Sequence, residues 1–302
     1  MAEILVVGSM GYDTITTPHG KKEDILGGSA NYFSLAASKY AKVNVVGVVG
    51  EDYKDEDYHL LKSRDVCVDG LQRVPGKTFK WEGKYEDDMN EAITLHTALN
   101  VFEKFDPVIP DKYKNAEYVF LANIDPPLQM KVLEQVNKPK FVALDTMNLW
   151  IDIKLDELKE AIGKVDCLLI NEGEARALSG EFNGIAAAKK LAALGPRAVV
   201  IKRGEYGFIL YCEDQFFIMP AFPVEHVMDP TGAGDTFAGG FFGYLAKTDQ
   251  ELSLSHMKQA CVQGCLMASF TVQDFGVNSL VNLSWEDIEK RQNDYSRVTS
   301  LD

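Results

Sequence analysis

The stretch at residues 227–245, VMDPTGAGDTFAGGFFGYL, places a carboxylate directly after a loop of small residues. The small residues are Gly232, Ala233 and Gly234. The apolar run that follows Asp235 has the length of a helix. Because the first N–H groups of a helix have no partner within it, such a loop points several unpaired amides in one direction. Together with the positive end of the helix dipole, these amides predict an anion hole.

Two roles are open for Asp235. A carboxylate in the first turn of a helix is favourable by itself, as a cap or as a partner of the helix dipole. Beside an anion hole, the same carboxylate can instead accept the proton of a hydroxyl that attacks a phosphoryl group held in the hole. The second role is that of a kinase base, since phosphoryl transfer needs the protein chiefly to position groups and to neutralise charge.

The sequence lacks the motifs of two other nucleotide-binding classes. A dinucleotide-binding dehydrogenase carries G-x-G-x-x-G directly after its first strand, with an acidic residue about 20 positions later. Here the first strand ends in GSMGYD, and the glycine-rich turn comes late in the chain. The sequence also contains no G-x-x-x-x-G-K-[ST], so it is not that of a P-loop enzyme.

The composition excludes several classes of partner. The chain has 302 residues, 46% of them hydrophobic, and a formal net charge of −14. An acidic surface repels phosphate backbones and anionic lipids, so we expect neither a nucleic acid nor a membrane as partner. The five cysteines form no Cys-x-x-Cys pair, no apolar stretch reaches the roughly 18 residues of a membrane helix, and the N-terminus lacks the basic region of a signal peptide. We therefore expect a cytoplasmic protein.

Short apolar strands alternate with helical segments along most of the chain. Strand-like runs include EILVVGS, VNVVGVVG, AEYVFLAN, KFVALDT, VDCLLINEG, AVVIKRG and GFILYCE. Segments such as SANYFSLAASKYA, LDELKEAIGK and GIAAAKKLAALG lie between them and have helical patterns. This alternation predicts a single α/β domain over residues 1–302, with a mostly parallel sheet that helices cover on both faces.

Two segments interrupt this alternation. Residues 12–25 are polar and rich in turn formers, and residues 68–102 alternate small apolar and charged residues between turns. Both patterns predict solvent-facing antiparallel strands. A small sheet inserted in an α/β domain is expected to be a lid over a cleft, and a surface sheet without a function is the alternative.

Three motifs resemble, in order and spacing, those of the ribokinase-like (PfkB) carbohydrate kinase family. ILGGSANYFSLAAS is similar to the family's N-terminal Gly-Gly motif, INEGEARAL to its Asn-x-x-Glu motif, and DPTGAGDTFAGG to its C-terminal signature. The resemblance covers almost the whole chain. It implies a ribokinase-like three-layer α/β/α domain with a small β-lid. It also implies ATP-dependent phosphorylation of a hydroxyl of a sugar or nucleoside, which we expect to be a primary one.

The resemblance implies roles for residues on the nucleotide side. Asp235 resembles the catalytic base, and the amides from Gly232 to Gly234 resemble the anion hole. Asn171 and Glu174 resemble the pair that organises Mg²⁺ and the phosphates, with Glu174 acting through water. The alternative for Glu174 is a carboxylate in the first turn of a helix.

IKRGEYG resembles the strand and turn that lie beside ATP in the family. Gly204 and Gly207 would let the backbone approach the nucleotide closely. Lys202 either reaches a phosphate or is a solvated strand end. Asp229 and Thr231 match positions at which relatives hold a monovalent cation such as K⁺, and Thr231 also falls among the ATP-binding positions.

The substrate side of the resemblance depends on another set of residues. Asp13 matches an aspartate that binds sugar hydroxyls in relatives, and a carboxylate can accept two hydroxyl hydrogen bonds. Gly27 and Gly28 would let a sugar lie against the backbone. Asn148, in LDTMNLW, matches a residue that contacts the substrate or supports one that does.

The sequence departs from the family pattern at one position of this pocket. Many relatives carry Asn four residues after the second glycine of the Gly-Gly pair, where this chain has Tyr32. Asn31 lies one residue earlier, and a shift of one residue rotates a helical side chain by about 100°. Tyr32 therefore either lines the pocket, where it would stack on a nucleobase or a sugar, or packs beneath the lid.

The residues and the resemblance together predict a kinase that uses ATP and Mg²⁺ and forms a homodimer through its lid. The alternative is a catalytically silent protein of the same fold that binds or senses a ligand. The presence of Asp235 argues against it, because a binding protein has no need of a general base.

Overall fold

The computed structural model describes residues 2–250 and 252–300, which form two sheets and the helices that cover the larger one. The strands, in chain order, are β1 (Glu3–Val7), β2 (Gly11–Thr17), β3 (Gly20–Gly27), β4 (Lys42–Val49), β5 (Val66–Arg73), β6 (Phe79–Tyr85), β7 (Ala92–Ala98), β8 (Tyr118–Leu121), β9 (Phe141–Asp145), β10 (Cys167–Asn171), β11 (Ala198–Lys202), β12 (Phe208–Cys212) and β13 (Gln215–Met219). The helices are α1 (Ser29–Ala37), α2 (Asp55–Lys62), α3 (Pro126–Leu133), α4 (Asn148–Ile153), α5 (Leu155–Ile162), α6 (Glu172–Ser179), α7 (Gly184–Ala192), α8 (Ala233–Thr248), α9 (Leu254–Thr271), α10 (Asn278–Asn282) and α11 (Trp285–Thr299). None of the helices in the described ranges is long and apolar enough to cross a membrane.

The central sheet has nine strands in the order β13-β12-β11-β10-β9-β8-β1-β4-β5. The strands from β11 to β5 run parallel, and β12 and β13 form an antiparallel hairpin at one edge. The apolar residues of strands such as β10 are fully buried, because hydrophobic clusters lie on both faces of the sheet. The predicted α/β fold with a mostly parallel sheet is confirmed.

Helix α8 packs closely against two other helices through glycines. A Cβ on Gly239 would lie 2.5 Å from the carbonyl oxygen of Phe33 in α1, and one on Gly240 would lie 2.8 Å from that of Gln263 in α9. No larger residue fits at either position unless a helix backbone moves. This packing holds the N-terminal end of α8, which carries Asp235, in a fixed place.

The second sheet, which we call the lid, has four strands in the order β3-β2-β6-β7. The pairs β2–β3 and β6–β7 are antiparallel, whereas β2 and β6 run parallel. The prediction of antiparallel lid strands is therefore correct within each pair and wrong where the pairs join. The physical reason lies in the strands that precede them, since β2 follows β1 and β6 follows β5. Strands β1 and β5 run in the same direction in the central sheet.

The second lid segment begins later in the structure than the predicted residue 68. Residues 66–73 form β5, which pairs in parallel with β4 at the edge of the central sheet. Val66 and Val68 are buried there, whereas Asp69 is exposed. An edge strand that is covered mainly on one face has the same alternating pattern as a lid strand, so the pattern alone does not separate them.

Candidate active site

Three neighbouring strands bring polar residues together at one edge of the central sheet. Asp145 ends β9, Asn171 ends β10 and Lys202 ends β11. Sheets of parallel strands bind ligands in the crevice beyond the carboxyl ends of their strands. The N-terminus of α8 meets this edge, since a Cβ on Gly234 would lie 3.1 Å from Nζ of Lys202.

The turn that leads into α8 and the first residues of the helix present backbone amides that have no partner among the described residues. Gly232 is the N-cap residue of α8, with a φ of 75°, and its carbonyl accepts the N–H of Thr236 at 2.8 Å. Within residues 2–250 and 252–300, the N–H groups of Gly232 and Gly234 have no hydrogen-bond acceptor. The N–H of Ala233 instead donates to the carbonyl of Pro230 at 3.2 Å. The amide of Ala233 therefore closes the turn in this structure, and its contribution to the anion hole stays a prediction.

Lys202 and Asp145 form a buried ion pair beside this loop. Nζ of Lys202 lies 2.9 Å from Oδ2 of Asp145, and their side chains are only 14% and 7% exposed. Lys202 is thus not a solvated strand end. Asp145 lies outside the motifs that predict the site, although it is a carboxylate at the end of the buried strand FVALD. That signal is weak alone, because strand ends often carry acidic residues for structural reasons.

The groups around Asp235 shift one another's pKa values. Burial, followed by the negative charge of Asp145, raises the pKa of Asp235 to about 7 against the opposing charge of Lys202. The same two causes raise the pKa of Glu174 to about 8. Burial by itself would lower the pKa of Lys202, but the surrounding carboxylates outweigh it, so the pKa is raised and the ammonium keeps its charge. A carboxylate with a pKa near neutrality is suited to general acid–base work at physiological pH.

Asn171 and Glu174 cap helix α6. Oδ1 of Asn171 accepts the N–H of Glu174 at 2.8 Å, and Oε2 of Glu174 accepts the N–H of Asn171 at 2.9 Å. This reciprocal pair is a capping box, so the helix-carboxylate explanation of Glu174 holds in the structure. It does not use the whole carboxylate, since Oε1 of Glu174 accepts no hydrogen bond from the described residues.

Asp13 and the Gly-Gly pair lie together at the start of the lid. The Asp13 side chain is buried against Gly27, where a Cβ would collide with its carboxylate. Burial, followed by the charges of Asp229 and Asp235, raises the pKa of Asp13 to about 8, and a hydrogen bond from the amide of Gly28 opposes the shift. Gly28 has a φ of 91°, which favours glycine. The structure thus brings these predicted substrate residues close to Asp235.

Asn31 and Tyr32 both lie in α1 but face different neighbours. The amide nitrogen of Asn31 donates to the carbonyl of Gly27 at 2.6 Å. The Tyr32 ring is 1% exposed and packs against Gly232, where a Cβ would collide with it. Oδ1 of Asn31 and the hydroxyl of Tyr32 are buried with no hydrogen-bond partner among the described residues. The Tyr32 ring therefore packs against Gly232, the first residue of the anion hole.

Asp229 ties the loop before α8 to the segment that follows α9. One carboxylate oxygen accepts the N–H of Thr231 at 2.9 Å, and the other accepts the N–H of Gly276 at 3.0 Å. Asp229 is fully buried, and burial raises its pKa. The main contribution of Asp229 in this structure is to fix the loop that presents the anion hole.

The remaining predicted residues lie further from this cluster. Gly207 has a φ of 84°, and a Cβ there would collide with the carbonyl of Met219 in β13, so its close approach is to a strand. Gly204 has a φ of 53° and lies beside Asn90 at the tip of the β6–β7 hairpin. Asn148 is exposed at the start of α4 and makes no hydrogen bond with the described residues.

Comparison of the sequence with protein families gives a match over residues 1–283 to the family described as pfkB family carbohydrate kinase. The chain belongs to the PfkB family of carbohydrate kinases. A curated relative, the cytidine kinase of Thermococcus kodakarensis, is 33% identical over 252 residues, which are 81% of this chain and 89% of the relative. The predicted activity, ATP-dependent phosphoryl transfer to a sugar or nucleoside, is confirmed for this PfkB protein, and no observation supports the silent alternative.

Two solved structures share the fold of this PfkB chain. A nucleoside kinase of Burkholderia thailandensis, in complex with inosine, has a TM-score of 0.80 and 17% identity, with 97% of this chain and 98% of that chain covered. A putative ribokinase II of E. coli, in complex with ATP and Mg²⁺, has a TM-score of 0.78 and 18% identity, with 97% and 100% covered. At these identities the likeness shows the fold alone.

Proposed function

We propose that this PfkB protein transfers the γ-phosphate of ATP to a primary hydroxyl of a nucleoside, with Asp235 as the general base. The observation that carries the proposal is the place of the Asp235 carboxylate, in the first turn of α8 directly after the unpaired amides of Gly232 and Gly234. The relatives favour a nucleoside over a free sugar, because one is a cytidine kinase and a solved neighbour binds inosine.

Asp235 has the properties of a base for this reaction. With a pKa of about 7, it is ionised in a large fraction of molecules at neutral pH and still attracts a proton strongly. Its side chain is half-buried, so a substrate in the cleft can reach it. Asp235 would take the proton of the attacking hydroxyl as the new O–P bond forms and the bond between the γ-phosphorus and the β–γ bridging oxygen breaks, which releases ADP.

Lys202 and the two glycine amides would stabilise the negative charge of the transferred phosphoryl group. Asp145 holds the Lys202 ammonium beside Gly234, so both kinds of donor are directed at one place before the substrate arrives. Donors that are already in position need no reorganisation during the reaction, which makes them effective.

Asp13, Asn31 and Tyr32 would hold the acceptor. Asp13 offers carboxylate oxygens next to Gly27, and the acceptor atoms of Asn31 and Tyr32 are buried without a partner among the described residues. Buried polar atoms of this kind are costly unless a ligand or water satisfies them. Ribose hydroxyls supply the donors that these atoms lack.

The residues also fit Mg²⁺. Oε1 of Glu174 accepts no hydrogen bond within the described residues, and Asp145 and Asp235 add negative charge nearby. Magnesium keeps several waters and takes few protein carboxylates, so Glu174 and Asn171 would hold it through water. When bound, the ion neutralises the charge of the phosphates.

The fit to a monovalent cation is poor. Each oxygen of Asp229 already accepts a backbone N–H, and the residue is fully buried. The hydroxyl of its predicted partner Thr231 donates to the lid. No step of the reaction is therefore assigned to K⁺.

We also propose a cytoplasmic homodimer that joins at the lid. Strand β7 is a lid edge whose residues are mostly exposed, including Ile93 at 47% and Leu95 at 54%. An exposed apolar edge strand is prone to pair with another chain. The five cysteines are all free thiols, which agrees with a reducing compartment.

The test is ADP release from Mg-ATP across a panel of nucleosides, free sugars and sugar phosphates, with wild type and Asp235→Asn side by side. We expect wild-type turnover with a nucleoside and at least a ~100-fold loss in the variant, with ATP binding retained. Turnover in the variant close to wild type would refute Asp235 as the base. Turnover with sugars but not with nucleosides would refute the substrate class.

A further inference from the structure

The lid touches the loop before α8 through a polar contact. The hydroxyl of Thr231 donates to the hydroxyl of Tyr85 at 3.2 Å. Tyr85 is the last residue of β6, is only 6% exposed, and packs with Ile15 of β2 and with Phe275. Thr231 directly precedes Gly232, whose N–H is one of the two unpaired amides. The contact therefore connects a lid strand to the first residue of the anion hole.

The two partners are fixed differently. The backbone of Thr231 is held by Asp229, which is itself bonded to Gly276. Tyr85 belongs to the lid, as the last residue of β6. Burial, followed by the charges of Asp229, Asp13 and Asp235, raises the pKa of Tyr85, so its hydroxyl stays protonated and neutral. A neutral hydroxyl can accept from Thr231 without bringing a further negative charge into this acidic pocket.

We propose that the hydrogen bond between Thr231 and Tyr85 is a latch that couples closure of the lid to the position of the anion hole, and that Tyr85 is a positioning residue for phosphoryl transfer. The proposal rests on the kinase function above. With the lid closed, the latch fixes the Thr231 side chain and thereby the orientation of the neighbouring Gly232 amide. With the lid open, the loop loses this restraint and water has access to the site.

The experiment is a double-mutant cycle of Tyr85→Phe and Thr231→Val with two readouts. In turnover with Mg-ATP and the acceptor, we expect each single variant to lose about 3- to 10-fold in kcat, with smaller changes in both KM values. The double variant should be no slower than the slower single variant, because both changes remove the same interaction. In hydrogen–deuterium exchange of the protein without ligand, residues 79–85 should exchange faster in both single variants and equally fast in the double variant.

One variant serves as the control. Thr94→Val removes another lid hydrogen bond, the one from Trp81 to Thr94 at 3.2 Å, and should leave kcat unchanged. Loss of kcat in Thr94→Val would mean that any weakening of the lid slows the reaction, which would overturn a specific latch.

The outcomes separate this inference from the function on which it rests. Additive losses in kcat, or coupling in exchange without coupling in kcat, would overturn the latch while leaving the kinase intact. A wild-type protein that phosphorylates no nucleoside or sugar would refute the proposed function instead. A role of Tyr85 in phosphoryl transfer would fall with that function, and additive effects in the exchange cycle would also overturn the coupling between lid and loop.

Discussion

The ammonium of Lys202 lies 2.9 Å from the carboxylate of Asp145 and beside Gly234, so one ion pair sets the charge at the end of helix α8. The two partners act on Asp235 with opposite signs. Asp145 raises the pKa of Asp235 and Lys202 lowers it. This opposition makes the proposed base open to a test by pH.

We expect the pH profile of kcat/KM to move in opposite directions when each partner is neutralised. Wild-type kcat/KM should fall as the pH drops through about 7, because the base must be ionised. Asp145→Asn should move this acid limb to lower pH, and Lys202→Met should move it to higher pH, each by about one unit. The exposed ion pair of Lys190 and Glu181 supplies the control Lys190→Met, which should not move it. Shifts in the same direction would contradict the assignment of the limb to Asp235.

The stability of the protein should fall as the pH rises from 5 to 8. The pKa values of Asp13, Asp235 and Glu174 are about 8, 7 and 8, above their ordinary values near 4. In this window the folded protein holds protons that the unfolded chain has released, so each rise in pH favours unfolding. The three raised pKa values contribute fully to the free energy of unfolding below pH 4, and this contribution is lost as the pH approaches 8.

Urea denaturation at pH 5 and pH 8 checks this trend with Asp13→Asn as the matched variant. The amide cannot ionise and can still accept the N–H of Gly28. From pH 5 to pH 8, the free energy of unfolding should decrease in both proteins. The decrease should be smaller in the variant than in wild type, by at least about 1 kcal/mol. Equal losses in the two proteins would mean that Asp13 keeps an ordinary pKa.

Glu174→Gln should separate the cap of α6 from the magnesium site. A glutamine oxygen can still accept the N–H of Asn171, so the free energy of unfolding should change by less than about 1 kcal/mol. The loss of charge should raise the Mg²⁺ concentration needed for half-maximal turnover by about 10- to 100-fold. Glu172→Gln, in the same turn and bonded to Arg203, should leave that concentration unchanged. A lower free energy of unfolding with an unchanged Mg²⁺ concentration for half-maximal turnover would mean that Glu174 only caps α6.

Gly27→Ala should weaken binding of the acceptor and not of ATP. The added methyl would collide with the carboxylate of Asp13 and displace it. We expect KM for the nucleoside to rise by about 10-fold or more, because the displaced Asp13 would lose more than one hydrogen bond to the acceptor, with KM for ATP unchanged. The comparison is Gly20→Ala in the exposed β2–β3 turn, where the φ of 146° strains the backbone but no heavy atom lies within 4 Å of the added methyl. Equal rises in both KM values would contradict a role for Asp13 at the acceptor.

Leu95→Asp should weaken the proposed dimer. It places a charge in the middle of the exposed strand β7, and buried charges without partners are costly at an interface. In sedimentation velocity at micromolar concentration, we expect wild type as a dimer and the variant as a monomer. Val108→Asp, an equally exposed apolar position outside the lid, should remain dimeric. A wild-type monomer would refute the proposed interface.

The sequence predicted the parts of the fold and site that follow from local patterns. The alternation of apolar strands and helices predicted the parallel sheet, and the turn around Gly232 predicted a cradle of backbone amides. The amide of Ala233 could not be judged, because its partner depends on how far the chain turns back on Pro230. No local pattern marks Asp145 as a site residue. Its partner Lys202 is 57 residues away in the chain and contacts it only once β9, β10 and β11 lie side by side. The turn pattern predicts that Gly207 lies beside the nucleotide, whereas the backbone that it approaches is that of β13.

The parallel pairing of β2 and β6 bears on the order in which the protein folds. Residues 11–17 and 79–85 are neighbours in the lid, yet β4 and β5 lie between them in the chain. Closing so long a loop costs entropy that is regained only once those intervening strands have joined β1. The lid is therefore expected to assemble after the central sheet and to open before it in mild denaturant. Catalysis would then disappear while most of the protein is still folded. The temperature at which the enzyme loses activity would be the temperature at which the lid opens, below that at which the central sheet unfolds.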